Sequence, residues 1–73
     1  MKDIGADKVR QDLNLYEIES LRLYLEGLST LEIAIKMKRS EFSIAFFIRS
    51  AKTKLVATNV GNSVALAIKA GFL

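Results

Sequence analysis

The chain contains no cysteine, histidine, proline or tryptophan. Without cysteine and histidine it has no means of forming a disulfide or a thiolate or imidazole metal site. No apolar run reaches the ~18–20 residues that a membrane-spanning helix needs, and residues 1–5 lack the apolar region of a signal peptide. We therefore expect a cytoplasmic protein that needs no metal or cofactor and does not enter a membrane.

The chemistry of an enzyme is also missing from the sequence. There is no glycine-rich loop that would hold a phosphate group, and two common catalytic residue types, histidine and cysteine, are absent. The carboxylates lie mainly in the first half, where Glu17 and Glu32 are expected to cap helices. No enzymatic activity is predicted.

Acidic residues are scarce in the second half. Residues 36–73 hold seven basic residues and one acidic residue, Glu41, whereas residues 1–35 hold four basic and seven acidic ones. The net charge of +3 therefore conceals two halves of opposite sign. A one-sided basic surface is typical of proteins that bind polyanions. The same charge pattern fits a solvated basic face equally well, so charge alone does not decide the function.

Apolar residues recur at spacings of three and four, which predicts helices rather than strands. Capping residues and glycines predict four helices, over residues 14–26, 29–37, 41–56 and 60–70. Asn14 and Ser29 begin capping boxes with Glu17 and Glu32, and Ser40 caps the third helix. Thr58 or Asn59 caps the fourth. Gly27 and Gly71 are expected to end helices with a positive φ angle.

The same spacing predicts which face of each helix is buried. The first helix is expected to bury Leu15, Ile18, Leu21 and Leu25. The second is expected to bury Ile33, Ala34 and Met37, and the third Ile44, Phe47, Ile48, Ala51 and Leu55. The opposite stripe of the third helix carries Phe42, Ala45, Phe46, Arg49 and Lys52 or Thr53. This second apolar stripe exceeds what the core of a monomer requires.

Two short helices joined by a tight turn form the plan of a helix-turn-helix, in which the second helix enters the major groove of DNA. Residues 13–73 resemble the LuxR-type (GerE-like) helix-turn-helix domain of NarL, FixJ and LuxR regulators. Residues 27–34, GLSTLEIA, are similar to the family's G-x-S-N-K-E-I-A. Residues 13–17 (LNLYE), 54–59 (KLVATN) and 70–73 (AGFL) are similar to L-T-x-R-E, K-L-G-V-x-N and x-G-L-I.

This resemblance implies an all-α, four-helix bundle that binds duplex DNA and regulates transcription. With no sensor or receiver domain before it, the chain would be a free-standing member of the family. Residues 1–12 are expected to form a loosely ordered arm before the domain at 13–73. Residues 43–50, SIAFFIRS, depart from the family's T-V-K-x-H-x-x-N, so that a lysine becomes Ala45, a histidine Phe47 and an asparagine Ser50. Val56 stands in place of the family's turn glycine.

The resemblance implies that bases are contacted from Ala45, Phe46 and Arg49. Arg49 can bond guanine bidentately, while Ala45 and Phe46 can touch thymine methyl groups. The full set of predicted DNA-binding residues is Thr30, Lys38, Ser43, Ala45, Phe46, Arg49, Ser50, Lys52 and Lys54. Thr30, Ser43 and Ser50 can bond phosphates, although short hydroxyl residues near helix starts more often serve as caps.

The fourth helix is the usual dimer contact of the family, so we expect a homodimer through Val60, Val64, Ala67 and Ile68. The alternative is a protein-interaction module, since the loss of the family's lysine and the gain of Phe46 leave an apolar patch. Phe42, Ala45 and Phe46 would then bind and modulate another regulator instead of DNA.

Overall fold

The computed structural model describes residues 13–73, which form four α-helices and contain no β-strand. Helix α1 spans Leu15–Leu25, α2 Thr30–Met37, α3 Glu41–Lys54 and α4 Val60–Ala70. The all-α class is therefore confirmed for this range. The predicted arm at residues 1–12 lies outside the described residues. None of the helices within the described range is long and apolar enough to cross a membrane.

Each helix begins at the predicted capping residue. The Asn14 and Ser29 side chains accept the backbone N–H groups of Glu17 and Glu32, and each glutamate accepts its cap's own N–H in return. Ser40 caps α3 and Asn59 caps α4 in the same way, through the N–H groups three residues on. These bonds satisfy N–H groups that have no partner inside a helix, which fixes where each helix starts.

All four helices end through a residue with a positive φ angle: Gly27 at 95°, Lys38 at 58°, Val56 at 55° and Gly71 at 91°. In each case the N–H of the following residue bonds a carbonyl five residues earlier, as Ala57 does with Lys52 at 2.9 Å. This is the Schellman arrangement, which satisfies the last carbonyls of a helix. It stops α3 at Lys54, two residues before the predicted end.

The predicted inward face of α1 is confirmed for Leu21, which is buried, and for Ile18, which is partly buried, but it is wrong for Leu15 and Leu25, which are 81% and 52% exposed. Leu23, Glu17 and Ser20 are buried in addition. The buried face of α1 is thus rotated away from the most apolar stripe of its sequence. In this orientation the Glu17 carboxylate enters the interior, where it forms polar contacts with α3.

The core consists of two clusters that meet along α3. One joins α1, α3 and α4 through Leu13, Leu21, Ala51, Leu55, Val64 and Ala67. The other joins α1, α2 and α3 through Leu23, Ile33, Ala34, Ile44 and Ile48. The predicted buried faces of α2 and α3 are confirmed, with Met37 and Phe47 only partly buried at the edge of the second cluster. Because α3 contributes to both clusters, its orientation is held along its whole length.

Burial within the domain corrects part of the predicted dimer contact on α4. Val64 is 7% exposed and Ala67 is fully buried, since both pack in the first cluster. Val60 is half-buried against the second cluster, and only Ile68, at 49% exposure, points outward. The apolar face of α4 therefore serves mainly the monomer's own core.

Candidate nucleic-acid interface

A three-residue turn at 38–40 connects α2 to α3. Lys38 takes the left-handed conformation at the end of α2, and the Arg39 N–H bonds the Ala34 carbonyl at 3.0 Å. Ser40 then begins α3 by accepting the N–H of Ser43 at 3.0 Å. A turn of this length between two packed helices is the connection found in helix-turn-helix units. It holds α3 against α2 while leaving one side of α3 uncovered.

The uncovered side of α3 carries four residues that we call the outer face: Phe42, Ala45, Phe46 and Arg49. Phe42 is 82% exposed and Phe46 is 56% exposed, values far above those of Ile44 and Ile48 on the opposite side of the helix. The prediction that Arg49 turns outward is confirmed, because its side chain is exposed. The outer face thus presents two aromatic rings and one guanidinium group to solvent.

Stacked aromatic rings brace one edge of the outer face. The rings of Tyr16 and Phe47 are stacked, with centroids 5.3 Å apart and planes 12° from parallel. Phe46 meets Phe47 edge-on at 6.2 Å. The Arg39 guanidinium lies 4.4 Å from the centre of the Tyr16 ring, within the range of a cation–π contact. These contacts position Arg39 at the turn, and the Phe47 ring packs against the Phe46 ring.

A shallow groove of about 290 Å³ runs along the other edge of the outer face. We call it the basic groove, and its lining residues are Tyr24, Thr30, Ala45, Ile48, Arg49, Lys52 and Val60. All four helices contribute to it. Four of the predicted DNA-binding residues, Thr30, Ala45, Arg49 and Lys52, are therefore brought together here. Among the described residues, Arg49 and Lys52 have no ion-pair partner.

Two other predicted DNA-binding residues, Ser50 and Lys54, face α1 instead of the outer face. The Ser50 hydroxyl donates to Glu17 Oε2 at 2.6 Å, and Lys54 Nζ lies 3.1 Å from both carboxylate oxygens. Glu17 Oε1 also accepts the Asn14 N–H at 2.9 Å. We call these four residues the Glu17 cluster. They tie α1 to α3 and engage Ser50 and Lys54 inside the domain. That these two residues contact phosphate stays a prediction.

The remaining predicted contacts lie near the start of α3. Lys38 is exposed in the turn. The Ser43 hydroxyl accepts a hydrogen bond from the Ser40 hydroxyl at 3.0 Å, which places it in the helix cap. Along α3, Phe46 lies between Ser43 and Arg49, so an aromatic side chain separates two polar ones.

Tyr24 lines the basic groove although the sequence pattern assigned it no role. Tyr24 lies on α1, three residues after the buried Leu21 and therefore on the same side of the helix. The predicted buried face of α1 contained Leu25 instead of Tyr24. The observed rotation of α1 is what brings Tyr24 to the groove.

Three of the five glutamates in the described range, residues 13–73, are engaged by other groups of the chain. Glu17 is buried beside Lys54, Glu32 accepts the Ser29 N–H at 2.7 Å, and Glu19 pairs with Arg22. Glu41, at the start of α3, is exposed.

Comparison of the chain with protein-family models, with curated proteins and with solved structures finds no match.

Proposed function

We propose that the chain is a small DNA-binding transcriptional regulator whose helix α3 enters the major groove of duplex DNA. One observation carries the proposal: Arg49 stands exposed on the helix that follows the turn, with Lys52 and Thr30 beside it in the basic groove. Arginine is the commonest reader of guanine in the major groove, and lysine and threonine are frequent partners of phosphate.

Each residue of the surface has a distinct role in this proposal. Arg49 bonds guanine O6 and N7, while Ala45 and Phe46 contact thymine methyl groups. Lys52, Thr30 and Lys38 bond backbone phosphates and set the position of α3 on the duplex. Because only one strong base reader is present, the expected sequence preference is modest and a large share of the affinity comes from phosphate contacts.

Val56 supports the LuxR-type assignment within this proposal. The LuxR-type pattern has a glycine at the matching position, and Val56 adopts a φ angle of 55° in the chain. A positive φ is the conformation for which glycine is favoured. The resemblance in sequence is thus accompanied by the backbone conformation that explains the family's glycine.

The proposal is tested by fluorescence anisotropy with a labelled duplex at low salt, using mixed-sequence and selected duplexes. Replacing Arg49 and Lys52 together by alanine should weaken binding at least about tenfold, because two charged contacts are lost. Lys69→Ala is the matched control, since Lys69 is an exposed cation at the end of α4. If the double variant keeps its helical circular dichroism and binds the duplex as wild type does, the proposal fails.

A second candidate function is a protein-interaction module, and the exposure of Phe42 and Phe46 favours it. Two large aromatic side chains exposed at 82% and 56% on one helix face are more than a phosphate-binding surface needs. Such a face would bind an apolar groove on another regulator, as aromatic anchors do at protein interfaces.

Affinity capture followed by binding to the purified partner tests this second function. Phe46→Asp should abolish the partner's binding, because it places a charge in an apolar contact, while Leu15→Asp serves as a control at another exposed apolar site. A partner that binds Phe46→Asp and wild type equally well would exclude the outer face as the docking surface.

A further inference from the structure

The lining of the basic groove combines hydrogen-bond donors with an apolar floor. Arg49, Lys52, Tyr24 and Thr30 are the lining residues with hydrogen-bond donors in their side chains, and no carboxylate residue belongs to the lining. Ala45, Ile48 and Val60 supply the apolar floor. Ligand pockets are commonly lined in this way, by apolar side chains with a few converging polar groups.

We propose that the basic groove binds a small organic anion, with an oxyanion head held by Arg49 and Lys52 and a flat apolar body on the floor. An arginine and a lysine at one rim give charge-assisted hydrogen bonds to a carboxylate or phosphate. A volume of about 290 Å³ lies just below the range for ligand sites, roughly 300–1,000 Å³. The groove thus fits a compact ligand of about one ring.

The backbone around the groove favours negative charge as well. Val60 is the first residue of α4, so this helix begins at the groove. The first turn of α4 contains no acidic residue, whereas that of α2 contains Glu32. The Asn59 side chain caps one N–H group of α4, that of Asn62. The partial positive charge at a helix start adds to that of the two cations.

Packing in the core, and not ligand binding, positions the apolar residues that line the groove. Ile48 packs in the second core cluster, and Val60 lies against the same cluster. Each of the four helices places a residue in the lining, so the packing of the bundle holds these residues together. A preformed site loses less conformational entropy when it takes up a small ligand.

The consequence is a regulatory one, and it rests on the proposed DNA-binding function. Arg49 and Lys52 are the same side chains that would contact DNA, so a bound anion and the duplex exclude each other. The anion would act as an inducer that releases the protein from DNA.

Binding is tested first without DNA, by ¹⁵N-edited NMR of the full chain titrated with phenyl phosphate. We expect saturable shifts of the Thr30, Ile48, Arg49 and Val60 amides. The double variant R49Q/K52Q should weaken the affinity about tenfold, since both charged contacts are removed, whereas K69Q should bind as wild type. Shifts spread over all basic residues, or unchanged in R49Q/K52Q, would overturn the site.

Two further arms separate the possible sources of the anion and the two proposals. Inorganic phosphate should bind more weakly than phenyl phosphate because it leaves the apolar floor uncovered, and equal binding would make the groove a site for a backbone phosphate of DNA alone. At constant ionic strength, phenyl phosphate should displace a labelled duplex. Binding of phenyl phosphate without displacement would refute the inducer role, whereas a chain that binds no duplex at all would refute only the proposed DNA function.

Discussion

Val56 is the residue whose side chain and backbone conformation fit least well. Its φ angle of 55° lies in the left-handed region, which costs an L-residue roughly 1–2 kcal/mol and is least suited to a β-branched side chain. Its side chain is 83% exposed, so it gains little from packing in return. The conformation persists because the Ala57 N–H bonds the Lys52 carbonyl and closes the end of α3.

Replacing Val56 by glycine should therefore stabilise the domain. We expect a gain of about 1 kcal/mol, since the conformational cost of the Cβ atom disappears and part of the gain is offset by the greater freedom of glycine in the unfolded chain. For a domain of this size the melting temperature should rise by about 4–8 °C. Val56→Ala, which retains a Cβ atom, should recover only a small part of the gain; an equal gain would show that the positive φ is not the cause.

Residue types with a single strong preference made some positions predictable. Gly27 and Gly71 are predicted to have a positive φ angle, and both do. The predicted capping roles of Asn14 and Ser29 are confirmed as well. Lys38 adopts the same left-handed conformation although nothing in a lysine side chain indicates it. The hydrogen bonds of the helix end, which involve only backbone atoms, determine that conformation.

Helix α1 is attached to α3 by the Glu17 cluster. The Glu17 side chain is 2% exposed, and its two oxygens accept hydrogen bonds from Asn14, Ser50 and Lys54. A carboxylate removed from water in this way is tolerated only when its partners replace the lost hydration. Since Ser50 and Lys54 both lie on α3, the cluster holds α1 at a fixed position along the helix that carries the outer face.

Glu17→Ala should destabilise the domain by about 2–3 kcal/mol, because it removes a buried carboxylate together with the three hydrogen bonds that it accepts. The partial exposure of Lys54, at 33%, keeps the loss below that of a fully buried pair. Ser50→Ala removes one of the bonds and should cost about 1 kcal/mol. These free energies of unfolding can be measured by urea denaturation.

Glu19→Ala provides the control on the same helix. Glu19 pairs with the exposed Arg22, and a solvent-exposed pair of this kind contributes about 0–1 kcal/mol. If Glu17→Ala costs no more than Glu19→Ala, the buried cluster does not hold α1 to α3.

The contrast between α1 and α3 shows which elements a sequence pattern can orient. In α3 the buried face consists of apolar residues at spacings of three and four, and its prediction is confirmed by Ile44, Ile48 and Ala51. In α1 the buried face contains Glu17 and Ser20, which an apolar pattern cannot assign to the interior. Two of the three polar partners of Glu17, Ser50 and Lys54, are 33 and 37 residues away in the chain, so only the tertiary structure reveals them.

The same limit explains the outcome for the site. Arg49, Lys52, Thr30 and Ala45 were singled out from the sequence, and the fold brings them to one groove. Ser50 and Lys54 were included because they lie on the same helix, but they face the buried carboxylate on α1. A basic residue on a surface helix can be predicted to pair or to remain free only when the facing residues of the neighbouring helix are known.

At the scale of the whole molecule, apolar surface remains uncovered on several helices. Leu15, Ile35, Phe42 and Ile68 are exposed at 81%, 70%, 82% and 49%. A core of this size gives limited stability by itself, so association with a second copy would help to maintain the fold. The proposed homodimer through α4 would also place two copies of α3 on a two-fold site in DNA.

Ile68 is the residue of α4 that can test this dimer, because Val64 and Ala67 are committed to the monomer's core. We expect sedimentation to give twice the mass of the chain, with dissociation on dilution. Ile68→Glu should raise the dimer dissociation constant at least about tenfold, since burial of an isoleucine side chain is worth roughly 1.5–3 kcal/mol. Leu15→Glu, at an exposed apolar site on α1, should leave the dimer intact. A wild-type chain that sediments as a monomer at high concentration, or an Ile68→Glu dimer as tight as wild type, would remove α4 as the interface and leave α3 to bind DNA as a single reading helix.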